Sequence, residues 1–219
     1  MKVGDKSFRS LKHAISLYAY LFVVWGFYRL LFFQLPETVE ALILKPAIWL
    51  LPTFFLIRKD KLCCKEVGLT LQNLFPTIYF ALTLGALFAF VAFGANYLKY
   101  GEFQFAANLG TTPFLLSFIL SFVTAFSEEI VFRGYIFTRF WQVLKSEWTA
   151  NIIVSTGWVI LHIPVAMLDW KMSPLNLVSY LFVIFIFSIG VTFIYARTKN
   201  ILAPILLHVL WAWPVALFR

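Results

Sequence analysis

Charge is scarce in this chain: Asp and Glu total 10 and Lys and Arg 18 among 219 residues, so only 13% of side chains are charged. Soluble domains carry about a quarter, which excludes an ordinary water-exposed surface. Cysteine is scarcer still. Cys63 and Cys64 are the only two, and sequence neighbours are poorly placed to bond each other, so no disulfide framework exists. No second Cys pair or nearby His completes a usual metal spacing, and the pair reads as two small apolar side chains near an interface. The His-Glu-x-x-His zinc motif is absent, as are internal repeats, low-complexity tracts and any segment resembling a soluble domain. One integral membrane domain over residues 1–219 is the expectation.

What fills the chain is apolar. Hydrophobic residues make up 62%, with 26 Phe, and the mean hydropathy is +0.86. These values describe a protein whose partner is the lipid bilayer. A net charge of +8 would also suit nucleic acid, but the basic residues sit in short clusters between apolar runs, as membrane topology requires. Nucleic acid is not an expected partner.

Crossing a hydrocarbon core of roughly 30 Å takes about 20 apolar residues, and seven runs qualify: 14–33, 39–57, 75–95, 113–137, 148–168, 175–195 and 200–218. The fold class is therefore an all-α polytopic bundle of about seven to eight transmembrane segments. The second run is interrupted by Lys45-Pro46 and Pro52, which predicts a kink or a partly interfacial segment. The last is barely long enough. Residues 61–74 mix charges with Leu62, Val67, Leu69, Leu71 and Leu74, a pattern for a segment lying on the membrane surface. The basic start of the chain precedes an apolar run without an early small-residue cleavage site, so an uncleaved first span is expected.

Lys and Arg orient the bundle. Lys2, Lys6, Arg9 and Lys12 precede the first span, and Arg58, Lys59, Lys61 and Lys65 follow the second. Arg139 and Lys145 follow the fourth; Arg197 and Lys199 follow the sixth. The opposite side receives only Lys99, Lys171 and Arg219. The N-terminus is expected in the cytoplasm, with the 96–112 loop outside.

Against this background Ser127-Glu128-Glu129-Ile130-Val131-Phe132-Arg133-Gly134 stands out, because it puts three charges inside a span. A charge near the bilayer centre costs roughly 2.5–3.5 kcal/mol on insertion scales and marks function. Glu129 and Arg133 are four apart on one helix face, in the favourable order for a pair. Glu128 lies about 100° around the helix and needs another partner, which leaves it for chemistry. His162 and His208 also fall within spans, whereas His13 lies in the basic N-terminal segment and reads as solvated.

At 1.5 Å per residue, Glu128 lies roughly 14 Å, His162 roughly 21 Å and His208 roughly 12 Å from the cytoplasmic ends of their spans. These depths are compatible with one cavity. Two chemistries fit a Glu and two imidazoles. Glu128 activates water for attack on an amide carbonyl while a His donor stabilises the oxyanion, or Glu128, His162 and His208 bind a divalent metal such as zinc. The first needs no cofactor, and residue types alone do not choose. Ser121, Thr124 and Ser155 share faces with these residues and are candidates to line the cavity. Pro164 is expected to kink the fifth span. Arg29 and Lys45 read as snorkelling cations, with Glu40 as a possible ion-pair partner.

The motifs resemble those of the intramembrane CAAX protease and bacteriocin-processing family (CPBP, or Abi). Glu128, Glu129 and Arg133 match its Glu-Glu-x-x-x-Arg motif. Trp158 and His162 match its aromatic-to-His motif, with Trp where Phe is usual. Ile189-Gly190-Val191 through Tyr195-Ala196-Arg197-Thr198, then Leu202-Ala203-Pro204-Ile205 and His208, resemble its last motif. The likeness covers about residues 113–213. It implies an intramembrane endopeptidase in which Glu128 with His162 activates water, His208 helps hold the oxyanion, and Glu129 with Arg133 supports the site. The implied substrate is a membrane-anchored protein or peptide, cut near the cytoplasmic half of the bilayer.

One position departs. The family places Asn or Asp four residues after the last His, and here Ala212 stands there. Trp211 offers an indole N–H as a substitute donor, although Trp211 and Trp213 also suit interfacial anchoring. Two alternatives follow: a non-catalytic member serving as a scaffold or immunity-type protein, which Ala212 favours, and a small transporter, which the absence of an inverted repeat disfavours.

Overall fold

In lipid the backbone has no water to bond, so long apolar runs must satisfy their own N–H and C=O groups, and helices result. The structure is a computed structural model describing residues 3–31, 35–102 and 113–217. Its long helices are α1 (Val3–Leu31), α2 (Glu37–Lys59), α3 (Leu74–Tyr100), α4 (Leu115–Leu144), α5 (Glu147–Asp169), α6 (Pro174–Thr198) and α7 (Leu202–Leu217). Among the described residues there is no strand, and α1 to α6 each contain a stretch long and apolar enough to cross a membrane. The seventh contributes only the shorter apolar stretch Leu202–Trp211. The described part of each expected run lies mainly on one of these helices. Most of the expected outside loop, residues 103–112, lies outside the described residues, and α3 itself continues to Tyr100.

Local chemistry sets the ends. The Ser146 hydroxyl accepts from the Thr149 N–H at the start of α5, and Ser173 caps α6 ahead of Pro174; such caps serve N–H groups that lack helical partners. Lys145 and Lys199 end α4 and α6 in left-handed conformations, φ 57° and 53°.

The core is built around α4. All of Ile130–Phe137 is buried, and α4 touches α1, α2, α5, α6 and α7. On the outside, Phe27, Phe55, Phe90, Leu175 and Phe182 are exposed, the apolar belt that a bilayer requires.

Two expectations need correction. Residues 61–74 do not simply rest on a surface: Val67 is buried, the Ile201 N–H donates to the Gly68 carbonyl at 2.9 Å, and Asn200 Nδ2 donates to the carbonyls of Thr70 and Gln72 at 3.0 and 2.8 Å. The segment enters because residue 134 is glycine. A Cβ there would lie 2.8 Å from the Val67 carbonyl oxygen. Nor is His13 merely solvated. Its Nδ1 lies 2.6 Å from Asp60 Oδ1, and the Tyr135 hydroxyl donates to Asp60 Oδ2 at 2.7 Å, tying α1, α2 and α4 together at one end. Arg197 and Glu147 pair at the same end, joining α6 to α5.

Candidate active site

Three long helices contain π-helical turns: Glu40–Leu44 in α2, Ile130–Phe137 in α4 and Val165–Asp169 in α5. Widened turns of this kind concentrate at functional sites. Here Lys45 directly follows the first, Glu128 and Glu129 directly precede the second, and His162 lies three residues before the third. Around Pro164 the α-helix stops at Ile160 and resumes as the π turn, which is how the expected irregularity of the fifth span is realised. In α2 the expected break at Lys45-Pro46 becomes a π turn within a continuous helix.

Glu129 is completely buried. Arg133 Nη1 donates to its Oε1 at 3.1 Å and lies 2.9 Å from Oε2, outside hydrogen-bonding geometry for that second oxygen. His208 Nδ1 lies 2.7 Å from the same Oε1. The rest of the guanidinium is also placed: Nη2 donates to the Ser188 hydroxyl at 2.6 Å and Nε to Thr192 at 3.2 Å. Ser188 in turn donates to Ser155 at 3.0 Å, and Ser155 to Asn151 Oδ1 at 3.0 Å. Ser155 therefore belongs to the support beneath Arg133. Ser121 and Thr124 are half-buried, and among the described residues no hydrogen bond ties them to the site.

Glu128 faces the other way. Its Oε1 is paired with the Lys45 ammonium of α2, and its Oε2 accepts from the Trp158 indole N–H at 2.9 Å. Trp158 is the meeting point. The His162 ring lies 4.3 Å from it, centroid to centroid, and the His208 ring 5.9 Å. His162 Nδ1 is 2.9 Å from the Trp158 carbonyl, an acceptor, so Nδ1 carries the proton and a neutral ring presents Nε2 as an acceptor. Among the described residues no three His, Cys, Asp or Glu side chains are grouped to hold a metal ion, Glu128, His162 and His208 included.

Residues 110–214 match the family model described as type II CAAX prenyl endopeptidase, Rce1-like. That stretch is similar to the Rce1-like family. It includes every site residue expected from sequence, and no curated protein matches the chain. The Rce1-like stretch does not supply its own cation for Glu128, because Lys45 lies outside it. Lys45 was expected to snorkel; instead it is drawn inward, beneath the Trp25 and Trp49 rings at 5.5 and 5.4 Å. Glu40 pairs with Arg29, which also holds Asp169 at 2.8 Å. Sequence reasoning missed Lys45 although a signal was present: Glu128 needed a cation, and Lys45 was an in-span cation needing a carboxylate.

Trp211 of the Rce1-like stretch packs against Phe187 and Phe88, ring centroids 4.9 and 5.2 Å apart. Phe187 also touches His208, at 5.7 Å, so Trp211 reaches the site through an aromatic intermediary. The side chains of Ala212 and Trp213 lie outside the described residues.

Proposed function

We propose that this integral membrane protein is an intramembrane endopeptidase that hydrolyses a peptide bond of a membrane-anchored protein or peptide. The observation carrying the reading is the convergence of Glu128, His162 and His208 on one indole. A carboxylate offers about four acceptor positions. Lys45 and Trp158 occupy two, and the remaining lone pairs of Glu128 are free to accept a water proton. His162 Nε2 receives or orients the same water. The water oxygen attacks the scissile carbonyl carbon, its proton passes to Glu128, and that proton is delivered to the leaving nitrogen as the C–N bond breaks.

His208 donates Nδ1–H to Glu129, and Arg133 fixes Glu129 in turn. This relay leaves His208 Nε2 directed at the developing oxyanion, where a proton on that nitrogen donates a hydrogen bond. Lys45 holds Glu128 in position. The basic end carrying Asp60, Lys65, Lys145 and Lys199 faces the cytoplasm in this proposal, by the excess of Lys and Arg in the loops there.

Co-expression with membrane-anchored candidate peptides tests the reading, scoring cleavage by the wild type, Glu128→Ala, His162→Ala and Ala212→Asn. Cleavage lost in the first two variants at unchanged protein level is expected. Ala212 favours the rival reading of a disabled member. A silent wild type with activity gained in Ala212→Asn would establish that rival instead. Chelation separates the two chemistries: cleavage by the wild type persists in EDTA under this proposal and stops if zinc supplies the water.

A further inference from the structure

Two hollows flank the linker between α6 and α7, and neither belongs to the site around Glu128. The first, about 460 Å³, is lined by Lys65, Lys145, Lys199, Thr138, Trp141 and Gln142 among others. The second, about 850 Å³, is an apolar cleft between residues 64–74, α4 and α7, lined by Leu69, Leu74, Phe122, Phe126, Ile201 and Ile205 among others. Lys65 borders both. Lys199 faces the first and its neighbours Asn200 and Ile201 face the second, so the two are adjoining compartments, one cationic and one greasy.

The charges in the first compartment are unbalanced. Among the described residues none of its three ammonium groups is ion-paired. Its one carboxylate, Glu66, is already accepting from the Cys63 N–H at 2.8 Å, and nearby Glu147 is taken by Arg197. Lys199 stands over the Trp141 ring at 3.5 Å. Lys145 and Lys199 are also anchored, since each occupies the fixed left-handed position that ends its helix. The carbonyl ends of α4 and α6 attract some of this positive charge, but three lysines against one engaged carboxylate leave an excess.

We infer that these compartments form a binding site for one anionic phospholipid of the surrounding bilayer, its phosphate headgroup among Lys65, Lys145 and Lys199 and an acyl chain in the cleft beside Phe122 and Phe126. The position fits, because both hollows lie where membrane-spanning helices end, the depth at which a phosphate meets its first methylenes. Basic pockets between membrane helices bind lipid headgroups in this way. The chain explains why an apolar cleft adjoins a phosphate site, and the headgroup explains unpaired lysines beside an apolar cleft. Neither feature depends on what Glu128 does.

The test is the unfolding temperature of the full-length protein purified in a neutral detergent, with four additives: dioleoyl phosphatidylglycerol, dioleoyl phosphatidylcholine, glycerol phosphate and inorganic phosphate. A ligand that binds only the folded state raises the unfolding temperature by mass action. Phosphatidylglycerol is expected to raise it by several degrees and the other three far less at equal concentration. The combined variant Lys65→Gln, Lys145→Asn, Lys199→Asn removes the charges while giving the left-handed positions a residue that accepts them, and it is expected to lose the phosphatidylglycerol response. Exposed Lys65→Gln alone, should the combined variant fail to fold, reduces that response. Equal shifts with phosphatidylcholine, a full response in either variant, or no shift with any additive would overturn the inference. A full shift with glycerol phosphate or inorganic phosphate would also overturn it, pointing to a soluble phosphate site.

Discussion

Glu128 and Glu129 are consecutive residues with different surroundings. Glu129 is held entirely from within the Rce1-like half, by Arg133 of its own helix and His208 of α7, with Ser188, Thr192 and Ser155 fixing the guanidinium. Glu128 draws its cation from the other half of the chain, from Lys45 of α2, and shares its second oxygen with Trp158. The contrast separates two uses of buried charge. A carboxylate held between an imidazole and a guanidinium that is bonded at each of its nitrogens positions other groups. One held by a single ammonium and an indole keeps acceptor capacity for water.

The largest expected effect on the folded state comes from breaking the locked side. Arg133→Met leaves Glu129 buried with only His208, and losing one partner of a buried ion pair costs about 3–5 kcal/mol. Reduced accumulation and a lower unfolding temperature in detergent are expected, with cleavage falling in proportion to the folded protein lost. Wild-type accumulation and stability would remove the distinction between the two carboxylates.

Lys45→Met sharpens the contrast from the open side. Glu128 loses its Oε1 partner while the Arg133 network stays intact, and misplacing a catalytic group costs about 100-fold in rate. Glu128 also stays buried without its cation, so some loss of stability accompanies the change; per folded molecule the expected outcome is a fall in kcat with KM little changed, measured in reconstituted membranes, and partial recovery in Lys45→Arg. A loss confined to KM would assign Lys45 to substrate binding.

The smallest effect involves a carboxylate outside the pair. Burial alone would raise the Asp60 carboxyl, but hydrogen bonds from Tyr135, Ser10 and His13 outweigh it and hold the group below its ordinary value. A depressed folded-state value contributes stability that is present above the ordinary carboxylate range and is lost as the pH falls through and below that range, toward the folded value. Asp60→Asn is therefore expected to flatten the acid side of a plot of unfolding temperature against pH and to leave neutral-pH cleavage unchanged. An acid limb identical to the wild type would show that Asp60 does not contribute.

Much of this arrangement is legible in the sequence. The pairing of Glu129 with Arg133 follows from four-residue spacing, and the need of Glu128 for a different partner follows from its angle on the helix. The short last helix follows from its run length. What spacing could not reveal was the identity of distant partners. Lys45 lies 83 positions from Glu128, and their meeting depends on how α2 and α4 are rotated, which the π turns beside both residues alter. The bond from His208 to Glu129, and the inward turn of residues 64–73 against Gly134, depend likewise on packing between helices. Trp158 shows the difference in kind: sequence placed an aromatic there, and only the structure shows its N–H on Glu128.

The most direct test measures cleavage by Glu128→Gln and Glu129→Gln side by side, with unfolding temperatures of both purified proteins. The account predicts that Glu128→Gln, which leaves the slightly more exposed Lys45 unpaired, lowers the unfolding temperature less than Glu129→Gln does, and that it loses about 100- to 10,000-fold in rate per folded molecule, the usual contribution of a general base. Glu129→Gln is predicted to lose mainly stability and to keep measurable cleavage per folded molecule. The reverse pattern, with cleavage surviving Glu128→Gln and abolished in a stable Glu129→Gln, would contradict the assignment of the reactive carboxylate.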